Sequence, residues 1–142
     1  MDVTRIDQIA IAVHDLDDAL EFYERAFGLT PEYRERVDSD GVEEAMLNVG
    51  GVYLQLLQAT RDDSPVARYL AKNGPGLHHL GFGVASVSGA LEHLRDEGVA
   101  LIDEAPRPGG RGHTVAFVHP KSTGGVLVEL VEDAGDPHAD AH

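Results

Sequence analysis

Seven apolar positions near the N-terminus of this chain recur in register 71 residues later: Ile9 with Leu80, Ile11 with Phe82, Val13 with Val84, Leu16 with Val87, Ala19 with Ala90, Leu20 with Leu91, and Tyr23 with Leu94. A duplication of this kind constrains the fold strongly, because the same supersecondary unit must be built twice and the two copies placed against each other. In the first copy, "IDQIAIAV" alternates Ile9, Ile11 and Val13 with Gln8, Ala10 and Ala12 at strand period, so one face is bulky and the other small. "DLDDALEFYERAFG" then carries Leu16, Ala19, Leu20, Tyr23, Ala26 and Phe27 at helical spacing, with Asp15 or Asp17 suited to the N-terminal end and Gly28 to the stop. Strand patterns follow in "YRERV", "EEAMLNV" and "VYLQLLQ", the last two joined by a Gly50-Gly51 turn. The unit reads βαβββ.

The second copy begins at "HHLGFGVASVSGALEHLRDEG", passes through a turn-rich loop, "ALIDEAPRPGGRG", and ends in the strand patterns "HTVAFVH" and "GGVLVELVE". Between the copies, "ATRDDSPVARYLAKNGPG" predicts a short helix with Ser64 as cap, Pro65 as first residue and Asn73-Gly74 at its end. We therefore expect an α+β fold: one domain over residues 1–133, with tandem βαβββ modules at about 4–58 and 76–133 linked by 59–75, forming a curved sheet around a central cleft. The tail, residues 134–142, is expected to be disordered.

Composition narrows the partners. A chain of 142 residues with 42% apolar content suffices for one real core. The excess of 25 acidic over 11 basic residues, a net charge of −14, argues against nucleic-acid binding. No apolar run approaches the ~20 residues of a membrane span, and the N-terminus has no secretory pattern, so a cytoplasmic protein without membrane partners is expected. With no cysteine, any metal must be held by nitrogen and oxygen donors.

The duplication also singles out four polar side chains. Gln8 and His79 stand at equivalent places on the first strand of each copy, and Gln55 and Glu129 on the last, each facing away from its bulky neighbours. Singly, a strand glutamine is ordinarily solvated and a lone histidine ordinarily structural. Brought together across a cleft floored by Ala10, Ala12, Gly81 and Gly83, the four make a mixed nitrogen and oxygen shell suited to Co²⁺, Mn²⁺, Ni²⁺ or Zn²⁺. His78 leaves the strand on the opposite face and is expected to pack or hydrogen-bond.

With its ligand candidates on the first and last strands of each unit, this pattern resembles the vicinal oxygen chelate superfamily. The segments "GVEEAML", "YLQLL", "DSPVARYLAKNGPGLHHLGF", "LIDEAPRPG" and "HPKSTGGVLVEL" resemble its methylmalonyl-CoA epimerase branch, and the likeness spans about residues 4 to 133. The resemblance implies a metal-dependent enzyme of propionate metabolism that interconverts (R)- and (S)-methylmalonyl-CoA by removing and returning the C2 proton through a metal-stabilised enolate. It also implies a divalent metal, Co²⁺ foremost, an acyl-CoA substrate and a homodimer. The family has histidine where this chain has Gln8, a poorer donor to late transition metals, which implies a weaker or more oxygen-preferring site.

By the same resemblance Glu44 of "VEEAML" is the base; strand alternation sets it beside Met46, and a carboxylate among apolar groups is suited to proton exchange. Glu129 is expected to serve as the second acid/base as well as a ligand, and Lys121 and Ser122 of "HPKSTGG" to bind substrate. The alternatives from the residues are another enzyme of the superfamily, a glyoxalase-like isomerase or a dioxygenase, and a small-molecule binding protein without turnover.

Overall fold

The computed structural model describes residues 1–133, so the expectation for the tail falls outside the described residues. It shows two compact units: residues 6–81, and residues 1–5 together with 82–133. Their boundaries fall inside the first strand of each sequence repeat rather than in the linking segment.

Residues 6–81 hold most of β1 (Val3–Ala12), α1 (Leu16–Phe27), β2 (Tyr33–Val37), β3 (Val42–Val49), β4 (Val52–Ala59), α2 (Pro65–Asn73) and the start of β5 (Gly76–Val84). The strands are hydrogen-bonded in the order β2-β3-β4-β1-β5. β3 and β4 form an antiparallel hairpin through Gly50 and Gly51, whose φ angles of 63° and 95° favour glycine. β1 pairs with β4 in parallel, setting Ala10 opposite Gln55. The helix signals act as expected: Asp15 caps α1 by accepting from the Asp18 N–H, Gly28 ends it in the left-handed region, and the Ser64 hydroxyl caps α2 at the Ala67 N–H.

The two faces of these strands are covered differently. Ile11, Val13, Ala45, Leu47, Leu54 and Leu56 pack against Leu16, Ala19, Leu20 and Tyr23 of α1. On the other face Ala10, Ala12, Val42 and Leu57 pack with Val66, Tyr69 and Leu70 of α2. Leu16, Leu47 and Leu56 are fully buried, each worth about 1.5–3 kcal/mol of transfer free energy. Ala10 and Ala12 thus lie in an apolar cluster with α2 rather than on an open cleft floor, a correction to their expected place: their small size lets the linking helix approach.

The second unit contains the end of β5, α3 (Val87–Asp96), β6 (Arg107–Pro108), β7 (Thr114–Val118) and β8 (Val128–Glu132), with strand order β5-β8-β7-β6. β6 falls in the segment read as a loop; a two-residue strand, Arg-Pro, has no periodicity to betray it. It pairs with β7 and completes the second βαβββ set. Phe82, Val84, Val87, Ala90, Leu91 and Leu94 share one core with Ala116, Val118, Val128 and Leu130. Six of the seven repeated pairs therefore build corresponding cores, with Ile9 and Leu80 outside both.

The repeat extends to a detail that apolar matching does not reveal. Leu16 at the start of α1 donates its N–H to Gln58 Oε1 at 2.7 Å, and Val87 at the start of α3 donates to Glu132 Oε1 at 3.0 Å. Each acceptor stands three residues beyond a candidate ligand, Gln55 or Glu129, so the last strand of each copy also satisfies an otherwise orphaned helix donor.

Candidate active site

Six polar side chains are buried in the 6–81 unit, and four of them are expected at the site: Gln8 is 2% exposed, Glu44 3%, His79 4% and Gln55 8%; the other two are Asp7 and the α2 cap Ser64. Strand register explains their company. Gln55 lies opposite Ala10 on β1 and opposite Met46 on β3, so it shares a face with Gln8 and with Glu44, each two residues along its strand. The Gln55 Nε2 amide donates to Glu44 Oε2 at 2.8 Å. The Gln8 Nε2 amide lies 3.5 Å from His79 Nε2, at the outer limit of a hydrogen bond.

The amide oxygens are the unusual atoms. Oε1 of Gln55 and Oε1 of Gln8 are buried and accept no hydrogen bond, although the amide nitrogen of each faces a partner. A buried acceptor left unsatisfied costs about 1–3 kcal/mol, so such an atom is suited to a ligand that supplies positive charge. Gly81 makes room for one of them. A Cβ there would lie 2.0 Å from Gln8 Oε1 and 2.2 Å from its Cδ, so the Gln8 amide rests directly on the glycine backbone.

His78 is drawn into the same cluster. Its Nδ1 lies 2.8 Å from His79 Nδ1, and its ring meets the Tyr69 ring of α2 edge-on at 5.1 Å. Burial, and then the neighbouring His79, push its imidazolium down to about 4, so the ring is neutral at pH 7. Strand alternation anticipated a packing or hydrogen-bonding role for His78 but not that its partner would be the adjacent histidine.

The remaining expected residues lie in the other unit. Glu129 is half-buried on β8, opposite Phe117 of β7. Lys121 and Ser122 lie in a short 3₁₀ turn, Pro120–Ser122; the Lys121 N–H is held by His119 Nδ1, and Ser122 Oγ accepts the Ala100 N–H at 2.9 Å. Among the described residues no group of three or more His, Cys, Asp or Glu is placed to hold a metal ion. The expected shell needs none, since two of its four donors are glutamines. The orphaned amide oxygen of Gln55 and the imidazole of His79 fit a divalent cation that accepts mixed nitrogen and oxygen ligands. Among the described residues no helix is long and apolar enough to cross a membrane.

Known proteins match this arrangement over nearly its whole length. The family model described as the glyoxalase/bleomycin resistance protein/dioxygenase superfamily matches residues 7–117. A methylmalonyl-CoA epimerase from Streptomyces coelicolor, solved as a variant in complex with 2-nitronate-propionyl-CoA, is 46% identical and superposes with a TM-score of 0.90, covering 94% of this chain and 97% of that one. The human mitochondrial methylmalonyl-CoA epimerase is 35% identical across 89% of this chain and 72% of its own length. An ethylmalonyl-CoA/methylmalonyl-CoA epimerase of Cereibacter sphaeroides is 31% identical across 90% of this chain and 97% of its own length. The chain belongs to the glyoxalase/bleomycin resistance protein/dioxygenase superfamily and, within it, to the methylmalonyl-CoA epimerase family.

Proposed function

We propose that this protein interconverts the two epimers of methylmalonyl-CoA, or of a close 2-alkylmalonyl-CoA, by moving the C2 proton, with Glu44 as the base on one face. The observation that carries this reading is the Gln55 amide. Its nitrogen donates to the buried Glu44 carboxylate, while its oxygen, itself buried, accepts no hydrogen bond. One side chain thus orients the base and presents an acceptor to a cation.

The chemistry follows from where charge must go. C2 lies between a thioester carbonyl and a carboxylate; Glu44 takes its proton, the electron pair moves into the thioester carbonyl, and a proton then returns to the opposite face of the planar carbon. Glu129 is the acid/base for that face in this reading. The proposed divalent metal, Co²⁺ foremost, would be held by Gln55, His79 and Glu129, with Gln8 as a weaker fourth donor, and would supply Lewis-acid stabilisation of the developing oxyanion. Gln55 keeps Glu44 aimed while the carboxylate is ionised, because its N–H can only donate. Burial of Glu44 and Gln55 excludes water that would compete for the proton. Lys121 and Ser122 would hold an anionic part of the substrate, the ammonium offsetting repulsion from a chain of net charge −14.

Two features of the relatives support this. A nitronate is planar at the carbon that corresponds to deprotonated C2 and carries its negative charge on the adjoining oxygens, as an enolate does, and the Streptomyces epimerase binds one on a propionyl-CoA frame. The Cereibacter enzyme is named for both ethyl and methyl substrates, in keeping with a small 2-alkyl group. We also read the chain as a cytoplasmic protein and as a homodimer, the dimer supported by the exposed apolar side chains Ile6 and Leu77. The test is conversion of a single methylmalonyl-CoA epimer to the mixture by protein loaded with Co²⁺, with 2-nitronate-propionyl-CoA as competitive inhibitor. Tight binding of the nitronate without conversion would favour a binding protein, and oxygen uptake in place of conversion a dioxygenase.

A further inference from the structure

A separation of 2.8 Å between the Nδ1 atoms of His78 and His79 can hold only one proton, since two N–H groups facing each other would repel. One ring donates and the other accepts. The direction is indicated at the far side of His79, where Nε2 lies 3.5 Å from the Gln8 amide nitrogen, a donor without an available lone pair but too distant to hold the tautomer by itself. An imidazole nitrogen facing a donor offers it a lone pair. In neutral His79 the proton therefore sits on Nδ1, and His78 Nδ1 is the acceptor.

We propose that His78 is the positioning residue of the site: by accepting the Nδ1 proton of His79 it fixes that imidazole in one tautomer and one orientation, with Nε2 as the donor atom offered to a divalent cation. The proposal rests on His79 being a metal ligand as regards its consequence for metal affinity; the tautomer itself does not depend on that reading.

The surroundings hold His78 in this role. Tyr69 of α2 meets its ring edge-on, with ring planes at 80°, and the Tyr69 hydroxyl donates to the Leu77 carbonyl at 2.7 Å, tying the helix to the residue before His78. The two histidine rings are themselves nearly perpendicular, at 77°. The short linking helix therefore acts on the first strand of the second repeat and fixes the orientation of the histidine most central to the site. Metal-binding histidines commonly donate their second N–H to a carboxylate or a carbonyl, and losing that partner costs roughly 10–100-fold in metal affinity. Here the acceptor in reach is a second histidine, with its Nδ1 at 2.8 Å.

The experiment reads tautomer and affinity separately. Full-length protein labelled with ¹⁵N at histidine is freed of metal, the His79 resonances are assigned by their loss in His79→Ala, and two-bond ¹⁵N–¹H correlations show which nitrogen carries the proton. The wild-type protein should show His79 protonated at Nδ1; protonation at Nε2 overturns the proposal without any variant at residue 78. His78→Phe keeps the ring and its contact with Tyr69 but removes the acceptor, so the single tautomer should give way to a mixture and Co²⁺ affinity should fall roughly 10–100-fold. His78→Asn, whose amide oxygen can take the place of Nδ1, should restore both. An unchanged Nδ1–H tautomer in folded His78→Phe overturns the proposal. Tautomer loss without any wild-type Co²⁺ binding leaves His78 as the partner that orients His79 and refutes the metal reading alone.

Discussion

Replacing Gly81 by alanine would put a methyl group where the Gln8 amide now rests. The ideal Cβ lies 2.0 Å from Oε1, 2.2 Å from Cδ and 2.4 Å from Nε2, so all three heavy atoms of the amide must move. Gln8 is only 2% exposed and its amide nitrogen faces His79, so the side chain must leave a closed site rather than swing through solvent. Overpacking of this kind costs about 1–3 kcal/mol. Against it stands the smaller conformational entropy of an unfolded chain that has lost a glycine, about 0.4–1 kcal/mol in favour of the variant. The net expectation for Gly81→Ala is a loss of roughly 0.5–2 kcal/mol. In a Gln8→Ala background the obstacle is gone and only the entropy remains, so the same substitution should be neutral or stabilising by up to about 1 kcal/mol. Equilibrium urea unfolding of the wild type, the two single variants and the double variant measures the coupling directly. An equal cost of Gly81→Ala in both backgrounds would refute the reasoning, since the clash would then not be with Gln8.

Other substitutions probe separate links. Ser64→Ala removes the cap of α2 and should cost about 1 kcal/mol in urea unfolding, because the Ala67 N–H loses its acceptor. Gln58→Ala and Glu132→Ala should each cost about 1–3 kcal/mol by the same measurement, since each strands the N–H of a fully buried helix-start residue, Leu16 or Val87. Gln8→His replaces an amide oxygen by imidazole and should tighten Co²⁺ binding in calorimetric titration; unchanged affinity would place residue 8 outside the metal's donor set.

Much of this was legible in the sequence because apolar periodicity and duplication are signals of many residues. Both long βα segments, the Gly50-Gly51 hairpin and the cap at Ser64 follow from side-chain type and spacing, which leave the α1 cap between Asp15 and Asp17. Gln8, Gln55 and His79 could be grouped because strand alternation and repeat symmetry fix faces, whereas the family resemblance singles out Glu44, alternation giving only its face. Features that depend on a single close approach were not legible. β6 is too short to show a period, and the Gln8 amide lying over Gly81 is a matter of tertiary distance. The cover that α2 gives to Ala10 and Ala12 depends on where the linking helix docks, which the amphipathic pattern of "SPVARYLAKNG" leaves open. The His78 and His79 rings meet through side-chain torsions that strand alternation says nothing about.

The central claim is that Glu44 moves the C2 proton on one face. Single epimers of methylmalonyl-CoA, incubated in D₂O with Co²⁺-loaded wild-type protein and with Glu44→Gln, allow deuterium entry at C2 and inversion to be followed together by NMR and chiral analysis. The glutamine variant keeps the shape of the side chain and can still receive the Gln55 N–H through its own amide oxygen, so folding and metal binding should survive. Inversion should fall by at least about 10²-fold, the usual consequence of losing a general base. Deuterium should still enter the epimer whose proton faces the other acid/base. Wild-type rates of inversion in metal-loaded Glu44→Gln would contradict the claim and remove Glu44 from the chemistry.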